Sequence, residues 1–408
     1  MNKKKIFNDP VYGFVTIPHP ILFDLIEHPY FQRLRRIKQV GLTHYVYPGA
    51  LHTRFHHAIG ALHLMRQAID VLRSKDVDIT EEEAIAVSIA ILLHDIGHGP
   101  FSHALEHTLV NVHHESLSLC FMEALNEQFD GQLGMAIQIF RDQYPKKFLH
   151  QLVSGQLDMD RMDYLNRDSF FTGVSEGVIG YDRIIKMLSV VDGELVVEEK
   201  GIYSVEKFLI ARRMMYWQVY LHKTSLVAEQ MLIKTLERAK FLASKGVEFQ
   251  VSKSLAHFLY GNFELEDFGK GNSQLLQQYA LLDDYDVFAA MKGFAEDKKV
   301  DQVLSFLSKS IVNRQLFKIK LTKKPIKKGD QLKKIRQKVV KALGMKKSEA
   351  HYVVFKGKES NSAYSTLKDE IKILYKNGQV LPMSEASDYG LGPKIITKYF
   401  LCYPKNIV

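Results

Sequence analysis

A run of ten apolar and small residues, AIAVSIAILL, leads directly into a cluster of histidine, aspartate and glycine residues. The run follows Thr80-Glu-Glu-Glu83, a capping-box pattern that predicts the start of a helix. Because a helix that is apolar nearly all round has no face for solvent, this one should be buried. We therefore expect it to carry the following segment, HDIGHGPFSH from His94 to His103, into the protein interior.

The spacing of apolar residues predicts a mainly α fold. Between about residues 18 and 240 these residues recur at helical intervals. Strands are predicted at GELVVEE near Val196 and, in the last third, at HYVVFKG, IITKYFLCYP and IKILYKNGQVLPM, where Asn377-Gly378 indicates a tight hairpin. We predict three regions: a helical core over 1–240, a helical extension over 241–320, and a small basic α+β region over 321–408.

Composition indicates a globular protein without a membrane partner. The 408 residues, 46% of them apolar, suffice for a large core. No apolar run approaches the roughly 20 residues that span a bilayer, and MNKKKIFNDP lacks the apolar stretch of a signal peptide. Cys120 and Cys402 are too few for a disulfide framework or a cysteine metal site. These features predict a cytoplasmic location.

Positive charge is concentrated in the segment from Lys309 to Lys347. This segment holds fifteen lysines and arginines and one acid, Asp330, whereas the whole chain has a net charge of +9. Such a block can bind nucleic acid, contact a phosphate ligand, or simply form a solvated helix face. Few aromatic residues are interleaved for base stacking, so a nucleic-acid partner is possible but weakly supported.

The cluster after the apolar helix has the composition of a metal site. Adjacent helical residues point about 100° apart, so His94 and Asp95 can share one ion only near the end of the helix. Gly97 and Gly99 would let the chain break there. Imidazole with carboxylate favours Mn, Fe, Co, Ni or Zn, whereas Mg prefers oxygen ligands. Further ligands must come from elsewhere, and the histidine- and acid-rich stretches are TRFHHAIG, HHES and LDMDRMDYLNRD.

A second set of polar residues shares one predicted helix face. Asp160, Asp163, Tyr164, Arg167 and Asp168 recur at helical spacing. Carboxylates so close together require a cation, arginine partners or ligand groups against them. A surface helix with Asp–Arg pairs is the alternative. Isolated histidines such as His52 and His63 are interpreted as ordinary structural residues.

These motifs, in this order, resemble the HD superfamily of metal-dependent phosphohydrolases, whose metal ligands correspond here to His57, His94, Asp95 and Asp160. The segments FNDPVYGFV, HPYFQRLRRIKQVGLTHYVYPGALHTRFHHAIG, LLHDIGHGPFSH and LDMDRMDYLNRDSFFTG are more closely similar to the deoxynucleoside triphosphate triphosphohydrolases, both dGTPase-like and sterile-alpha-motif/HD types. This resemblance covers residues 5 to about 225. It implies an HD-domain helical core and one divalent transition metal, with Mg possible and additionally bound with the nucleotide.

The resemblance also implies an activity, the hydrolysis of a deoxynucleoside triphosphate to a deoxynucleoside and inorganic triphosphate. It implies phosphate contacts at Arg54, Arg161 and Arg212. It implies acid catalysis by His103 supported by Glu106, with His98 and His114 near the phosphate. The sugar would be held by Gln39, Tyr164, Asp168 and Tyr220, with Asp168 on the 3′-hydroxyl and Tyr220 opposing a 2′-hydroxyl.

A regulatory nucleotide site and a homo-oligomer are further implications of the resemblance. The site maps onto Lys5, Ile6, Asn8, Glu27, Gln32, Arg35, His222 and Lys223. Glu27 stands where the family has a guanine-reading aspartate and is one methylene longer. Two other interpretations stay open: another HD-type phosphohydrolase, acting as a nucleotide phosphatase or phosphodiesterase, and a nucleic-acid-binding regulator on the HD scaffold.

Overall fold

The computed structural model describes residues 5–102, 106, 108–269, 273–297, 301–326, 329–361, 370–388 and 395–407. Helices dominate these residues, which confirms the mainly α fold class. The helices are α1 (Pro20–Glu27), α2 (Pro29–Gln32), α3 (Arg54–Arg73), α4 (Glu81–Leu93), α5 (His114–Gln128), α6 (Gly134–Phe140), α7 (Lys147–Ser154), α8 (Met159–Thr172), α9 (Tyr181–Lys186), α10 (Ile202–Met215), α11 (Lys223–Ala243), α12 (Lys253–Tyr260), α13 (Ser273–Ala280), α14 (Asp284–Glu296), α15 (Gln302–Val312), α16 (Asp330–Leu343), α17 (Ala350–Val353) and α18 (Met383–Ala386). The strands are β1 (Lys5–Asp9), β2 (Gly13–Ile17), β3 (Leu188–Val191), β4 (Glu194–Glu198), β5 (Lys318–Thr322), β6 (Phe355–Asn361), β7 (Lys372–Leu374), β8 (Val380–Pro382) and β9 (Ile396–Tyr403).

Helix α4 begins where the capping box predicts and is buried as expected. The Thr80 hydroxyl accepts from Glu83 N at 3.2 Å, and the Glu83 carboxylate accepts from Thr80 N at 2.9 Å. Every residue from Ala84 to Leu93 except Ile85 is buried. The helix therefore fixes His94 and Asp95 from the inside of the protein.

The glycine after the His-Asp pair has a different role from the one expected. Gly97 does not have a positive φ, so it is not needed to break the chain. Instead, an added Cβ at Gly97 would lie 2.3 Å from both His114 O and Ser118 N at the start of α5. Gly97 N also donates to Ser118 Oγ at 2.9 Å. The absence of a side chain lets α5 approach the loop directly.

Helices α3, α4 and α8 pack together and bring the predicted ligands to one place. Helix α3 contacts both α4 and α8. Asp158 caps α8 by accepting from Arg161 N at 2.6 Å, and Gly173 ends the helix with φ +73°. The alignment of these three helices is what allows residues far apart in sequence to meet.

In the described parts of the chain, the strands form three small sheets. An N-terminal hairpin, β1–β2, was not predicted from the sequence. The predicted strand near Val196 is β4, and it lies between β3 and β7 in the order β3-β4-β7-β8. The predicted Asn377-Gly378 turn joins β7 and β8, and Gly378 N donates to Tyr375 O at 3.0 Å. The third sheet has the order β5-β9-β6.

The C-terminal prediction is correct in part. HYVVFKG begins as helix α17, and its strand starts only at Phe355. Because β4 pairs in parallel with β7, the C-terminal hairpin completes a sheet begun in the helical core. The division into three regions stays a prediction. Within the described residues, no helix combines the length and apolarity needed to cross a membrane.

Candidate metal and nucleotide site

Three side chains place their possible ligand atoms close enough together to bind one metal ion. Ligand atoms of His57, His94 and Asp160 all lie within 4.8 Å of one another. Asp160 Oδ1 is 3.1 Å from His57 Nε2 and 3.5 Å from His94 Nε2. Asp95 also reaches this point, since its carboxylate oxygens lie 3.6 Å from His57 Nε2 and 3.4 Å from His94 Nε2. The structure thus brings together the four residues that were predicted from the sequence as metal ligands.

The imidazole rings are held from behind, which leaves their Nε2 atoms for a ligand. His57 Nδ1 donates to Asp163 Oδ2 at 2.7 Å, and His94 Nδ1 donates to Ile91 O at 2.6 Å. Arg167 donates two hydrogen bonds of 2.9 Å to Asp163 and a third, of 2.7 Å, to Asp9. Such outer partners orient metal-binding histidines and fix their tautomers.

The local electrostatics favour a cation at this point. Burial would lower the pKa of His57, but Asp160 and Asp163 outweigh it and raise that pKa to about 10. Burial would raise the pKa of Asp160, but His57 and His94 hold it well below its usual range. A site that attracts protons onto imidazoles beside carboxylates also attracts a divalent ion in their place. The donor set of imidazole nitrogens and carboxylates therefore fits a divalent transition metal.

A strained turn lies beside Asp95. Phe101 and Ser102 have φ of 54° and 55°, a left-handed conformation that costs non-glycine residues about 1–2 kcal/mol each. Arg54 donates to Ser102 Oγ at 2.9 Å and forms a buried ion pair with Asp95. The turn therefore positions the Arg54 guanidinium against a ligand of the predicted metal.

Asp284 of α14 holds this turn in place, and no sequence pattern indicated that role. Its two carboxylate oxygens accept from Phe101 N at 2.7 Å and from Lys38 N at 2.9 Å. Asp284 is 1% exposed, and burial raises its pKa. A lone Asp far along the chain carries no local pattern, so only the folded structure shows this contact.

His98 of the opening cluster and His114 of the HHES stretch form a second group. His98 and His114 stack with ring centroids 3.9 Å apart, and His98 Nε2 is 3.3 Å from Asp95 Oδ1. Glu106 accepts from His114 Nδ1 at 3.0 Å and from His114 N at 2.9 Å. His103 lies outside the described residues, so its predicted acid role stays a prediction.

Asp168 is held between two donors on the cavity wall. Tyr220 OH donates to Asp168 Oδ2 at 2.7 Å, and His52 Nε2 lies 2.6 Å from Asp168 Oδ1. His52 is buried and stacks on Phe171 with centroids 4.5 Å apart. His52 was interpreted from the sequence as an isolated histidine, because its distance of 116 positions from Asp168 hid the pairing.

A change of helix type places two tyrosines in the cavity. Between α10 and α11, residues Tyr216–Tyr220 form a π-helical turn. Such turns insert a residue into a helix and often occur at functional sites. Both Tyr216 and Tyr220 line the cavity, together with Tyr164. No sequence pattern predicted the π turn.

Arg161 and Arg212 lie beside the cavity rather than on its described lining. Arg161 forms an ion pair with buried Asp158, whose pKa is raised to about 6 by burial despite that partner. The Nε atoms of Arg161 and Arg212 are buried, and no described residue accepts their hydrogen bonds. Both guanidinium groups nevertheless lie close enough to Tyr164 on the lining to act on its pKa.

The cavity joins these groups in one space of about 360 Å³, within the usual range for small-molecule sites. Its described lining contains residues predicted to bind the metal, residues predicted to bind the sugar, and several others that no motif indicated. The lining residues are Gln39, Val40, Gly41, Thr43, Arg54, Asp95, His98, Phe101, Ser102, His114, Asp160, Tyr164, Asp168, Tyr216, Tyr220 and Glu229.

The predicted regulatory residues fall into two separate groups. Near the N-terminus, Arg35 donates to Gln32 Oε1 at 2.9 Å, and Glu27 is close enough to act on the pKa of Arg35. Lys5, Ile6 and Asn8 lie on β1. In the second group His222 caps α11, accepting from Thr224 N at 3.2 Å, and Lys223 follows it.

The basic segment spans the end of α15, β5 and α16. On α16, Ile335 and Val339 are buried whereas Lys333, Lys334 and Lys338 are exposed. This pattern is that of a solvated amphipathic helix.

Comparisons with known proteins agree with this geometry. The model of the HD domain matches residues 54–167, and that of the HD associated region matches residues 179–250. The first match spans all four predicted metal ligands. The second includes the π turn and all of α11.

Relatives match much longer stretches. The uncharacterized protein YwfO of Bacillus subtilis is 35% identical over 78% of this chain and 72% of its own length. The deoxynucleoside triphosphate triphosphohydrolase SAMHD1 homolog of Dictyostelium discoideum is 34% identical over 58% of this chain and 49% of its own length, so about half of that relative is matched. The crystal structure of a phosphohydrolase from Bacteroides thetaiotaomicron has a TM-score of 0.94 and 53% identity, with 98% of this chain and 100% of that chain covered.

Proposed function

The chain belongs to the HD-domain family of phosphohydrolases, and we propose that it hydrolyses deoxynucleoside triphosphates to a deoxynucleoside and inorganic triphosphate. One observation carries this proposal: Asp160 of the metal cluster and the Asp168–Tyr220 pair line the same cavity. A nucleotide presents its α-phosphate and its sugar a few ångströms apart. A cavity with a metal cluster beside a hydroxyl-binding carboxylate has the matching arrangement.

The metal would be held by His57, His94, Asp95 and Asp160. A divalent ion there would polarise a phosphate oxygen and lower the pKa of water, which supplies the nucleophile at neutral pH. The chain's own contribution is orientation, because Asp163 and Ile91 O fix the two imidazoles from behind. The ion pair between Arg54 and Asp95 adds a positive charge beside the ligand set.

Sugar binding would depend on Asp168. Each of its oxygens has one hydrogen-bonding neighbour, His52 or Tyr220, and retains a lone pair that can accept from a 3′-hydroxyl. The Tyr220 ring, fixed by its hydroxyl, would occupy the space that a 2′-hydroxyl requires. This arrangement supports the choice of a deoxyribose over a ribose.

Triphosphate leaves with a large negative charge, so donors and cations must lie along it. We assign this role to Arg54, which lines the cavity, and to Arg161 and Arg212, whose charges act on Tyr164 of the lining. We assign protonation of the leaving 5′-oxygen to His103, supported by Glu106, with His98 and His114 near the phosphate.

Activation by a second nucleotide and assembly into a homo-oligomer are part of the proposal. The first group of regulatory residues lies between β1 and the turn Arg33–Arg36, and the second lies at the start of α11. In a homo-oligomer, one nucleotide would bridge a group from one subunit and a group from another. Activity that rises with a second nucleotide species would support this part.

Product analysis tests the proposal. Purified metal-loaded protein is incubated with each of the four deoxynucleoside triphosphates, alone and in pairs, and the products are separated by anion exchange. We expect equal amounts of deoxynucleoside and inorganic triphosphate. Orthophosphate or pyrophosphate as the product would instead support another HD-type phosphohydrolase, and no hydrolysis of any nucleotide would overturn the proposal.

Two variants locate the reaction. Asp160→Ala removes a ligand from the centre of the cluster and should abolish hydrolysis and metal binding while the helical circular dichroism signal is kept. Asp70→Ala, on the exposed face of α3, is the matched control and should behave as wild type. If the Asp160→Ala variant still hydrolyses nucleotides, the assignment of the reaction to this metal cluster is wrong.

A further inference from the structure

Glu229 is an acid in the cavity that the steps described so far do not use. It lies on α11, where this helix packs against the turn Gly41–Tyr45. An added Cβ at Gly41 would lie 3.8 Å from Glu229 Oε1, so the carboxyl group faces that turn. Gly41 itself has φ +50°, which favours glycine and keeps the wall opposite the carboxyl group free of a side chain.

The carboxyl group has no partner within the part of the chain that the structure describes. No described residue forms a hydrogen bond or ion pair with it, and Glu359 on β6 is a nearby like charge. Burial, with Glu359, raises the pKa of Glu229 to about 8. At neutral pH the group therefore carries a proton and presents one donor and one acceptor to the cavity. Glu229 is half-buried and lines the cavity, so a ligand there can supply the hydrogen bonds that the described protein groups do not.

Position separates Glu229 from the other acids on the described cavity lining. Asp95 and Asp160 belong to the metal cluster, and Asp168 belongs to the sugar pair. Glu229 is the acid left over, beside Val40 and Gly41 of the adjoining wall. After the phosphates and the sugar are placed, the part of a nucleotide that still requires hydrogen bonds is the edge of its base.

Resting on the proposed function, we propose that Glu229, as a neutral carboxyl group, binds the hydrogen-bonding edge of the substrate's nucleobase. Each of the four bases has a donor next to an acceptor on its Watson–Crick edge, although their order differs. A carboxylic acid can carry its proton on either oxygen, so it matches both orders. Glu229 should therefore strengthen the binding of all four bases and not select one.

Two substitutions and a base-free substrate, the 5-triphosphate of deoxyribose, test this role. Glu229→Met keeps the length of the side chain but removes both oxygens, whereas Glu229→Gln keeps one donor and one acceptor. Two neutral hydrogen bonds correspond to about a tenfold change in binding. We expect Glu229→Met to raise KM about tenfold for each deoxynucleoside triphosphate with kcat nearly unchanged, and Glu229→Gln to stay within about threefold of wild type. Neither substitution should alter KM for the base-free substrate.

The control is Glu237→Met, on the same helix at a position paired with Lys234 and away from the cavity lining. Binding is followed separately as thermal stabilisation by nucleotide, so that a protein that binds without hydrolysing refutes the proposed function alone. Equal KM and equal thermal stabilisation in Glu229→Met and wild type would overturn the role of Glu229. So would an equal loss on the base-free substrate, since that loss would be structural.

Discussion

Replacing Gly60 with alanine would disturb the buried charges behind the metal cluster without touching a ligand. Gly60 lies on α3, facing α8. A Cβ built there would lie 2.0 Å from Arg167 Nη2 and 2.0 Å from Asp163 Oδ1. No methyl group fits at such distances, so both charged side chains must move. Since Asp163 holds His57 Nδ1, the displacement reaches the metal site.

The expected change in the free energy of unfolding combines one stabilising effect and two destabilising effects. Alanine is favoured over glycine in a helix by about 1 kcal/mol. Against this, overpacking a core costs about 1–3 kcal/mol, and breaking a buried ion pair costs about 3–5 kcal/mol. We expect the free energy of unfolding to fall by about 2–4 kcal/mol, because Arg167 keeps part of its pairing with Asp9. Loss of the orienting carboxylate should weaken metal binding about tenfold to a hundredfold.

Urea denaturation of the metal-free protein measures the first effect, and calorimetric titration with metal measures the second. Gly293→Ala on α14 is the matched control, because Gly293 is exposed and nothing lies within 4 Å of its added Cβ. That control should gain up to about 1 kcal/mol and keep its metal affinity. If Gly60→Ala matches Gly293→Ala in both measurements, the buried network does not support the metal site.

Four further predictions follow from single contacts. Asp284→Asn replaces one of the two oxygens that accept from Phe101 N and Lys38 N. It should lower the free energy of unfolding, measured in urea, by about 1–3 kcal/mol and should reduce kcat. Unchanged values would show that Asp284 does not hold the turn. Tyr220→Phe removes the donor to Asp168 and should raise KM for deoxynucleotides about threefold to tenfold, which steady-state kinetics would detect or exclude. Burial beside Glu359 raises the pKa of Glu229 to about 8, so the folded state holds a proton that the unfolded state loses above pH 4–5, and stability falls as pH rises to 8. The Glu229→Gln variant has no group that titrates at this position. The difference between its free energy of unfolding and that of wild type should therefore grow in favour of the variant by about 1 kcal/mol per pH unit between pH 5.5 and 7.5. A constant difference would argue against the raised pKa. Removing metal with a chelator should lower the melting temperature by a few degrees, since an ion at a hundred times its Kd stabilises by about 2.7 kcal/mol; an unchanged melting temperature would mean that no ion was bound.

Local signals in the sequence predicted the parts of the site that one helix or one loop determines. The Thr80–Glu83 capping box predicted the start of α4, and the absence of a polar face predicted its burial. Helical spacing placed Asp160 and Asp168 on one side of α8, and both line the cavity. The assignment of ligands and substrate contacts depended on resemblance, because spacing alone does not say what a carboxylate binds.

These local patterns could not predict contacts between residues far apart in the sequence. His52 and Asp284 act through partners more than a hundred positions away and have no distinctive neighbours in sequence. The π turn at Tyr216–Tyr220 differs from a helix by a single inserted residue, which leaves the apolar spacing almost unchanged. The parallel pairing of β4 with β7 required the packing of the whole chain.

Hydrolysis in water labelled with ¹⁸O tests most directly the proposed reaction, in which water attacks the α-phosphorus and inorganic triphosphate is released. If water attacks that phosphorus, mass spectrometry will find one ¹⁸O in inorganic triphosphate and none in the deoxynucleoside. Label in orthophosphate would place the attack on the γ-phosphate, and label in the deoxynucleoside would place it on the 5′-carbon. Either of these results would contradict the account.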